Sequence, residues 1–130
     1  MRLKIDNITP MGAVRTTQRG KYKSDSYKRY KRYKREIRLY ANQLMGNQEP
    51  TECAVEVHIT FHMPIPKSRK GKVEPGDPHV VKPDIDNLIK GVFDAINGKV
   101  WKDDNQVMRV NAEKVYSDRP GILMEVIPLF

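Results

Sequence analysis

Residues 85–96 carry apolar side chains at Ile85, Leu88, Ile89, Val92, Phe93 and Ile96, the positions i, i+3, i+4, i+7, i+8 and i+11. This spacing predicts a helix with one buried stripe. Pro83 has no amide donor and suits a place at or just before a helix start, while Asp84 is a good N-cap whose carboxylate can accept from free backbone amides. The helix is therefore expected to begin near Asp84. Asn97-Gly98 tolerates positive φ and lets the chain turn back. Asp86, Lys90 and Asp94 are spaced by four and share the polar face. A capping residue has extended dihedrals, so Asp84 can swing its carboxylate round the helix mouth toward Asp86. Trp101 closes the following turn, and Asp103-Asp104-Asn105 brings further acid just before another apolar run.

The rest of the chain reads as support for that stretch. Residues 1–8 alternate weakly through Leu3 and Ile5 and predict a short strand, stopped by Pro10 and Gly12. Residues 11–23 have no periodicity and read as an exposed loop bearing Arg15, Arg19, Lys21 and Lys23. A long helix is expected over 24–45, with Ser24-Asp25-Ser26 as cap and Gly46-Asn47 as stop. Its seam is Tyr27, Tyr30, Tyr33, Ile37, Tyr40 and Leu44, and Lys28, Arg29, Lys31, Arg32, Lys34, Arg35 and Arg38 fill the other faces. Like charges this dense repel along a helix unless an anionic partner offsets them. The early tyrosines Tyr27 and Tyr30 also suit stacking on bases at a disrupted duplex.

Residues 52–63 alternate through Cys53, Val55, Val57, Ile59 and Phe61 and predict a strand with one buried face, ended by Pro64 and Pro66. Residues 67–81 are cationic and rich in turn formers, and predict a mobile loop whose Lys67, Arg69, Lys70 and Lys72 close over a phosphate backbone beside the acids. His79 reads as structural or substrate-contacting. Strands over 106–116 and 122–127, joined by Ser117-Asp118-Arg119-Pro120-Gly121, predict a terminal hairpin. The expected fold is α+β: a single domain over 1–130, with a small mixed β-sheet and two main helices in the order β, α, β, α, β, β.

Charge divides the chain. The net +8 resolves into thirteen basic against three acidic residues over 1–48, or +10, and eleven against thirteen over 49–130, or −2. Such polarity suits a polyanion gripped by one surface and cut or read by another. Cys53, the single cysteine, excludes an internal disulfide and reads as a small core residue. Three histidines without paired spacing argue against zinc. No apolar run reaches membrane-spanning length and residues 1–6 lack a signal-peptide core, so a soluble intracellular protein without membrane contact is expected.

Magnesium prefers oxygen ligands and commonly takes one or two carboxylates plus substrate phosphates. Asp84, Asp86 and an acid from Asp103-Asp104 offer that environment, and Lys90, one turn after Asp86, can neutralise charge developing at phosphorus. Without a cation the same carboxylates repel and resist full ionisation.

The pattern Pro83-Asp84-x-Asp86-Asn87-x3-Lys90, then Asp94-Ala95 and Trp101-x-Asp103-Asp104-x-Gln106, resembles the signature of RusA-type Holliday junction resolvases, crossover junction endodeoxyribonucleases often carried by phages and prophages. The resemblance implies a RusA-like fold and a homodimer in the cytoplasm, nucleoid-associated, that binds four-way junction DNA. It further implies paired symmetric nicks made with Mg²⁺, or Mn²⁺ as a substitute, in recombination and repair. It makes Asp84 and Asp86 metal ligands, Lys90 the essential lysine, and the doublet the source of the third carboxylate, with Asp104 preferred over Asp103. The tyrosine seam and the terminal hairpin are the surfaces expected to offer the dimer contact. The apolar ending 127–130 packs on the core or across the dimer, and also admits a replication-clamp contact. Two other readings stand beside this one: a noncatalytic nucleic-acid-binding protein using the basic helix, and a metal nuclease acting on other branched DNA.

Overall fold

The computed structural model describes residues 1–15 and 25–129. Four strands, β1 (Arg2–Asp6), β2 (Val55–Pro64), β3 (Val107–Ser117) and β4 (Gly121–Pro128), form one sheet in the order β1-β4-β2-β3. Two helices, α1 (Asp25–Met45) and α2 (Ile85–Ile96), pack on each other and on the sheet. The element order and the α+β class are those expected from the sequence. No helix among the described residues is long and apolar enough to cross a membrane.

Alternation in β2 explains the layering. Val55, Val57, Ile59, Phe61 and Met63 are all buried, while the intervening residues are only partly covered. With period two, one row of side chains faces the helices and the other faces away. β2 pairs in parallel with β3 and antiparallel with β4, and β4 pairs antiparallel with β1. A parallel neighbour needs a crossover rather than a tight turn, and α2 lies in the β2-to-β3 connection.

The terminal hairpin does not form. β3 and β4 are joined by a short turn, yet β2 lies between them. Stepping over one strand spans two interstrand spacings, roughly 10 Å, which a turn of this length can bridge. The strand with the fullest apolar row takes one of the two inner positions, whereas β3, exposed from Met108 to Asn111, takes the edge.

The seam of α1 is shifted as well. Tyr30, Tyr33, Ile37, Ala41 and Met45 are buried, but Tyr40 and Leu44 are exposed. The buried residues follow one another at three, four, four and four, which keeps them on the stripe facing α2. Where the two helices meet, Gly91 leaves space: a Cβ there would lie 3.2 Å from the Met11 carbonyl and 3.4 Å from the Tyr30 ring. Arg38, exposed as expected of the basic exterior, also donates to the carbonyls of Ala95 (3.3 Å) and Asn97 (3.2 Å) and so closes the end of α2.

The stretch over 67–81 is anchored, not free. A 3-10 turn, Lys67–Arg69, is followed by a segment that runs back along β3, with Gly76 N bonded to Tyr116 O, Tyr116 N to Asp77 O, and His79 N to Lys114 O. An unpaired strand edge invites such pairing. The ending is likewise tied down, since Ile127 and Pro128 belong to β4 and Leu129 N donates to Ala54 O. Phe130 lies outside the described residues.

β1 and β4 touch closely where Gly121 opposes Asp6, and a Cβ at Gly121 would lie 2.5 Å from the Ile5 carbonyl. Gly121→Ala is therefore expected to destabilise the fold by about 1–3 kcal/mol through overpacking. A urea titration tests this, and an unchanged midpoint would contradict it.

Candidate active site

Backbone contacts on two sides fix the start of α2. Asp84 is the N-cap, with extended dihedrals (φ −68°, ψ 147°), and its carbonyl accepts the Leu88 amide. Its side chain makes no capping hydrogen bond, contrary to expectation, so neither carboxylate oxygen is drawn into the helix. On one side Ala13 N donates to Asn87 O at 3.0 Å. On the other, the Lys114 ammonium donates to the carbonyls of Val81 and Pro83.

Asp86 sits in the first turn, where the helix N-terminus favours negative charge, and accepts from the Asn87 amide at 3.0 Å. Lys90, one turn on, donates to Asp94 Oδ1 at 3.4 Å. The other oxygen of Asp94 accepts from the Tyr30 hydroxyl of α1 at 3.2 Å. Burial, followed by the Asp94 charge, pushes the Tyr30 phenol well above its ordinary value. Lys34 lies over the same ring, 4.5 Å from its centroid. The basic helix and the acidic helix are thus joined through Tyr30 and Asp94.

The acidic doublet follows Trp101, which is completely buried and packs edge-on against Phe93, with centroids 5.1 Å apart. Its indole N–H donates to Asp104 Oδ1 at 2.7 Å, and among the described residues no donor reaches the second oxygen of that carboxylate. Burial raises the Asp104 pKa, the indole bond opposes the rise, the charges of Asp94 and Asp103 add to it, and Lys90 lowers it. Asp103 is exposed, and its amide is bonded to Gln106 Oε1 at 2.8 Å. Gln106 Nε2 in turn holds the carbonyls of Thr51 and Cys53, both at 2.9 Å. That amide side chain locks the doublet's turn to the segment before β2.

Lys90, Asp94 and Asp104 therefore influence one another electrostatically, while Asp84 and Asp86 stand at the helix start. Among the described residues no three His, Cys, Asp or Glu side chains are grouped to share a cation. The donor set still suits a hard divalent ion: it is all oxygen, with Asp84 uncommitted to the cap and one Asp104 oxygen open.

Exposed cations Lys28, Arg29, Lys31, Arg32 and Arg35 line a shallow groove along α1. Arg15 is exposed near the start of the segment whose further basic residues, Arg19, Lys21 and Lys23, lie outside the described residues. Lys67, Arg69, Lys70 and Lys72 are exposed but stand by the β3–β4 turn. From there the chain retraces β3 to reach Lys114, three residues or roughly 10 Å along the strand, before it turns to the acids. His79 is buried against Tyr116, with centroids 4.8 Å apart, and burial followed by the Lys114 charge lowers its pKa. That is a structural role.

Comparison with known proteins follows the same span. A family model described as Endodeoxyribonuclease RusA matches residues 7–127. The protein YqaN of Bacillus subtilis (strain 168), described as uncharacterized, is 39% identical over 75 residues, covering 52% of this chain and 53% of the relative. The aligned region thus spans about half the length of that curated relative.

Proposed function

This chain belongs to the RusA endodeoxyribonuclease family, and we propose on that footing that it is a divalent-metal-dependent nuclease that resolves four-way DNA junctions by paired symmetric nicks. The observation that carries this reading is the half-buried Asp104, held by the Trp101 indole with one oxygen open and under the charges of Asp94 and Lys90. A carboxylate kept at that cost in burial suits cation binding better than a solvated surface charge does.

In this reading Asp84, Asp86 and Asp104 hold the cation, Mg²⁺ with Mn²⁺ as a substitute, and Asp103 adds negative charge beside them. A bound ion of this kind supplies Lewis-acid stabilisation of phosphate charge and a lowered pKa for water. Lys90, aligned by Asp94, neutralises charge that develops on the scissile phosphate. Lys28, Arg29, Lys31 and Arg32 of α1, together with Arg15 and Arg19, neutralise the backbone of the bound arms. The more distant Lys67, Arg69, Lys70 and Lys72 suit a second stretch of the same DNA. Opposed cuts in two equivalent strands call for two equivalent sites, hence a homodimer. Tyr30 and Tyr33 are buried within the chain and take no part in a dimer contact in this reading, whereas Tyr40 and Leu44 of the same seam are exposed. The commitment of Ile127 and Pro128 to β4 speaks against a replication-clamp contact through the tail. The reaction serves recombination and repair in the cytoplasm, at the nucleoid.

The test is cleavage of labelled four-way, flap and linear duplex DNA of matched sequence in Mg²⁺ or EDTA, followed by ligation of the products. Ligatable nicks confined to the junction and dependent on Mg²⁺ are expected. Equal cutting of flaps would favour the broader branched-DNA nuclease, and tight binding without any cutting would favour the noncatalytic binding protein. In the same assay Asp86→Asn is expected to abolish cleavage while leaving junction affinity intact or raised, because it removes a ligand and also repulsion toward phosphate. Retained cleavage would exclude Asp86 from the site.

A further inference from the structure

Residues 80–83 lead directly into Asp84, and their backbone has little else to hold it. The last ladder contact before them is His79 N to Lys114 O, and the first helical bond after them is Leu88 N to Asp84 O. Among the described residues no backbone-to-backbone hydrogen bond involves residues 80–83. Val80 is 79% exposed and Val81 51%, so side-chain packing contributes little there either. The chain in front of a candidate ligand would be loose without another restraint.

Lys114 supplies it. From β3, its ammonium reaches the Val81 carbonyl at 2.6 Å and the Pro83 carbonyl at 2.7 Å, distances typical of charge-assisted bonds. Two short bonds from one charged group to carbonyls two residues apart fix both the position and the direction of the backbone entering α2. Holding a lysine chain in one conformation costs rotamer entropy of up to about 2 kcal/mol, so an incidental surface lysine would not be expected to make both. On the opposite side Gly12 lies against Pro83 and Asn87, and Ala13 N holds Asn87 O. The corner carrying Asp84 and Asp86 is therefore gripped from both sides, and Lys114 is the charged member of the grip.

We propose that Lys114 is a positioning residue for the metal site: it sets the approach of Asp84 and Asp86 to the cation without touching the cation or the DNA. This rests on reading those two aspartates as ligands. Ligand orientation by outer partners is typically worth ten- to a hundred-fold in metal affinity.

The experiment is Mn²⁺ titration of the whole protein, followed by electron paramagnetic resonance of the free ion. It is run beside cleavage at varied Mg²⁺, junction binding in EDTA, and thermal melting. Lys114→Met keeps the stem and removes the donors. It is expected to raise the Mn²⁺ Kd and the half-saturating Mg²⁺ concentration by roughly tenfold, with junction affinity in EDTA unchanged. Lys114→Arg, which keeps the charge and donors, should recover part of the loss. Lys114→Gln keeps an uncharged donor nitrogen and should give a smaller shift of the same sign, which preserves the test if the methionine variant does not fold. Wild-type Mn²⁺ binding together with an unaltered Kd in a folded Lys114→Met or Lys114→Gln variant would overturn the inference alone. A wild-type protein that binds no Mn²⁺ would overturn the metal reading and this inference with it. A lowered melting temperature with unchanged Kd would leave Lys114 an ordinary strand residue.

Discussion

Asp104→Asn is expected to lower cleavage at saturating Mg²⁺ by roughly a thousandfold or more, and at the same time to raise the melting temperature at pH 7. In the proposed reading the first effect follows from losing a charged ligand at a centre that would stabilise phosphate charge, worth several kcal/mol, each 1.4 kcal/mol being about tenfold in rate. The second follows from the raised pKa of Asp104 in the folded protein, which burial and the charges of Asp94 and Asp103 produce. A carboxyl whose pKa rises on folding is better tolerated protonated than ionised. Its penalty is absent well below the ordinary value of 3.8 and grows as the pH climbs through the raised one. Asparagine keeps an oxygen for the Trp101 indole and carries no charge, so its advantage should be present at pH 7 and vanish in acid. Melting curves from pH 3 to pH 8, read beside cleavage rates, check both halves. Unimpaired cleavage would remove Asp104 from the site, and a lower melting temperature at pH 7 would show that the indole bond outweighs burial.

Trp101→Ala carries the largest expected loss of stability, about 3–5 kcal/mol. The ring is fully buried, lies edge-on to Phe93, and donates to Asp104. The backbone of the same residue accepts the Gly98 amide at 2.8 Å, closing the turn after α2. Removing the ring leaves a cavity and withdraws the donor from a half-buried carboxylate. A fall in melting temperature of roughly 10 °C or more should accompany the loss. Trp101→Phe should retain much of the packing but not the bond, so the Asp104 pKa rises further and the acid limb of the cleavage profile shifts to higher pH. Urea titrations of both variants, with a pH–rate profile for the phenylalanine form, separate packing from hydrogen bonding. Equal stability of Trp101→Ala and wild type would contradict the cavity argument.

Periodicity made α2 and its N-cap legible from the sequence, because Leu88, Val92 and Ile96 repeat at the spacing that a one-sided helix requires. The same reasoning found β2. It failed where the answer depends on which element lies alongside. A short turn between β3 and β4 says nothing about a third strand inserted between them, and the stripe of α1 continues through Ala41 and Met45, not Tyr40 and Leu44. The acids of the candidate site were visible as residue types at fixed spacing. Their supports were less so: Lys114 and Arg38 bond to backbone carbonyls, which every residue carries, at separations of 31 to 59 residues. Gln106 was visible as part of the motif, but its hold on Thr51 and Cys53 was not.

The outer pairing of β1 with β4 also sets an order of events during synthesis. Met1 and Val126 exchange backbone hydrogen bonds across nearly the whole length of the chain. Contacts between distant segments form late and slowly, since a long loop must close before they give any return. On the ribosome the basic helix emerges early and the acidic motif follows, but β4 comes last, and until it arrives β1 and β2 have no common neighbour. A nascent chain can thus carry cations and carboxylates alike without the sheet that aligns them, which delays assembly of the candidate site until translation through β4 is complete.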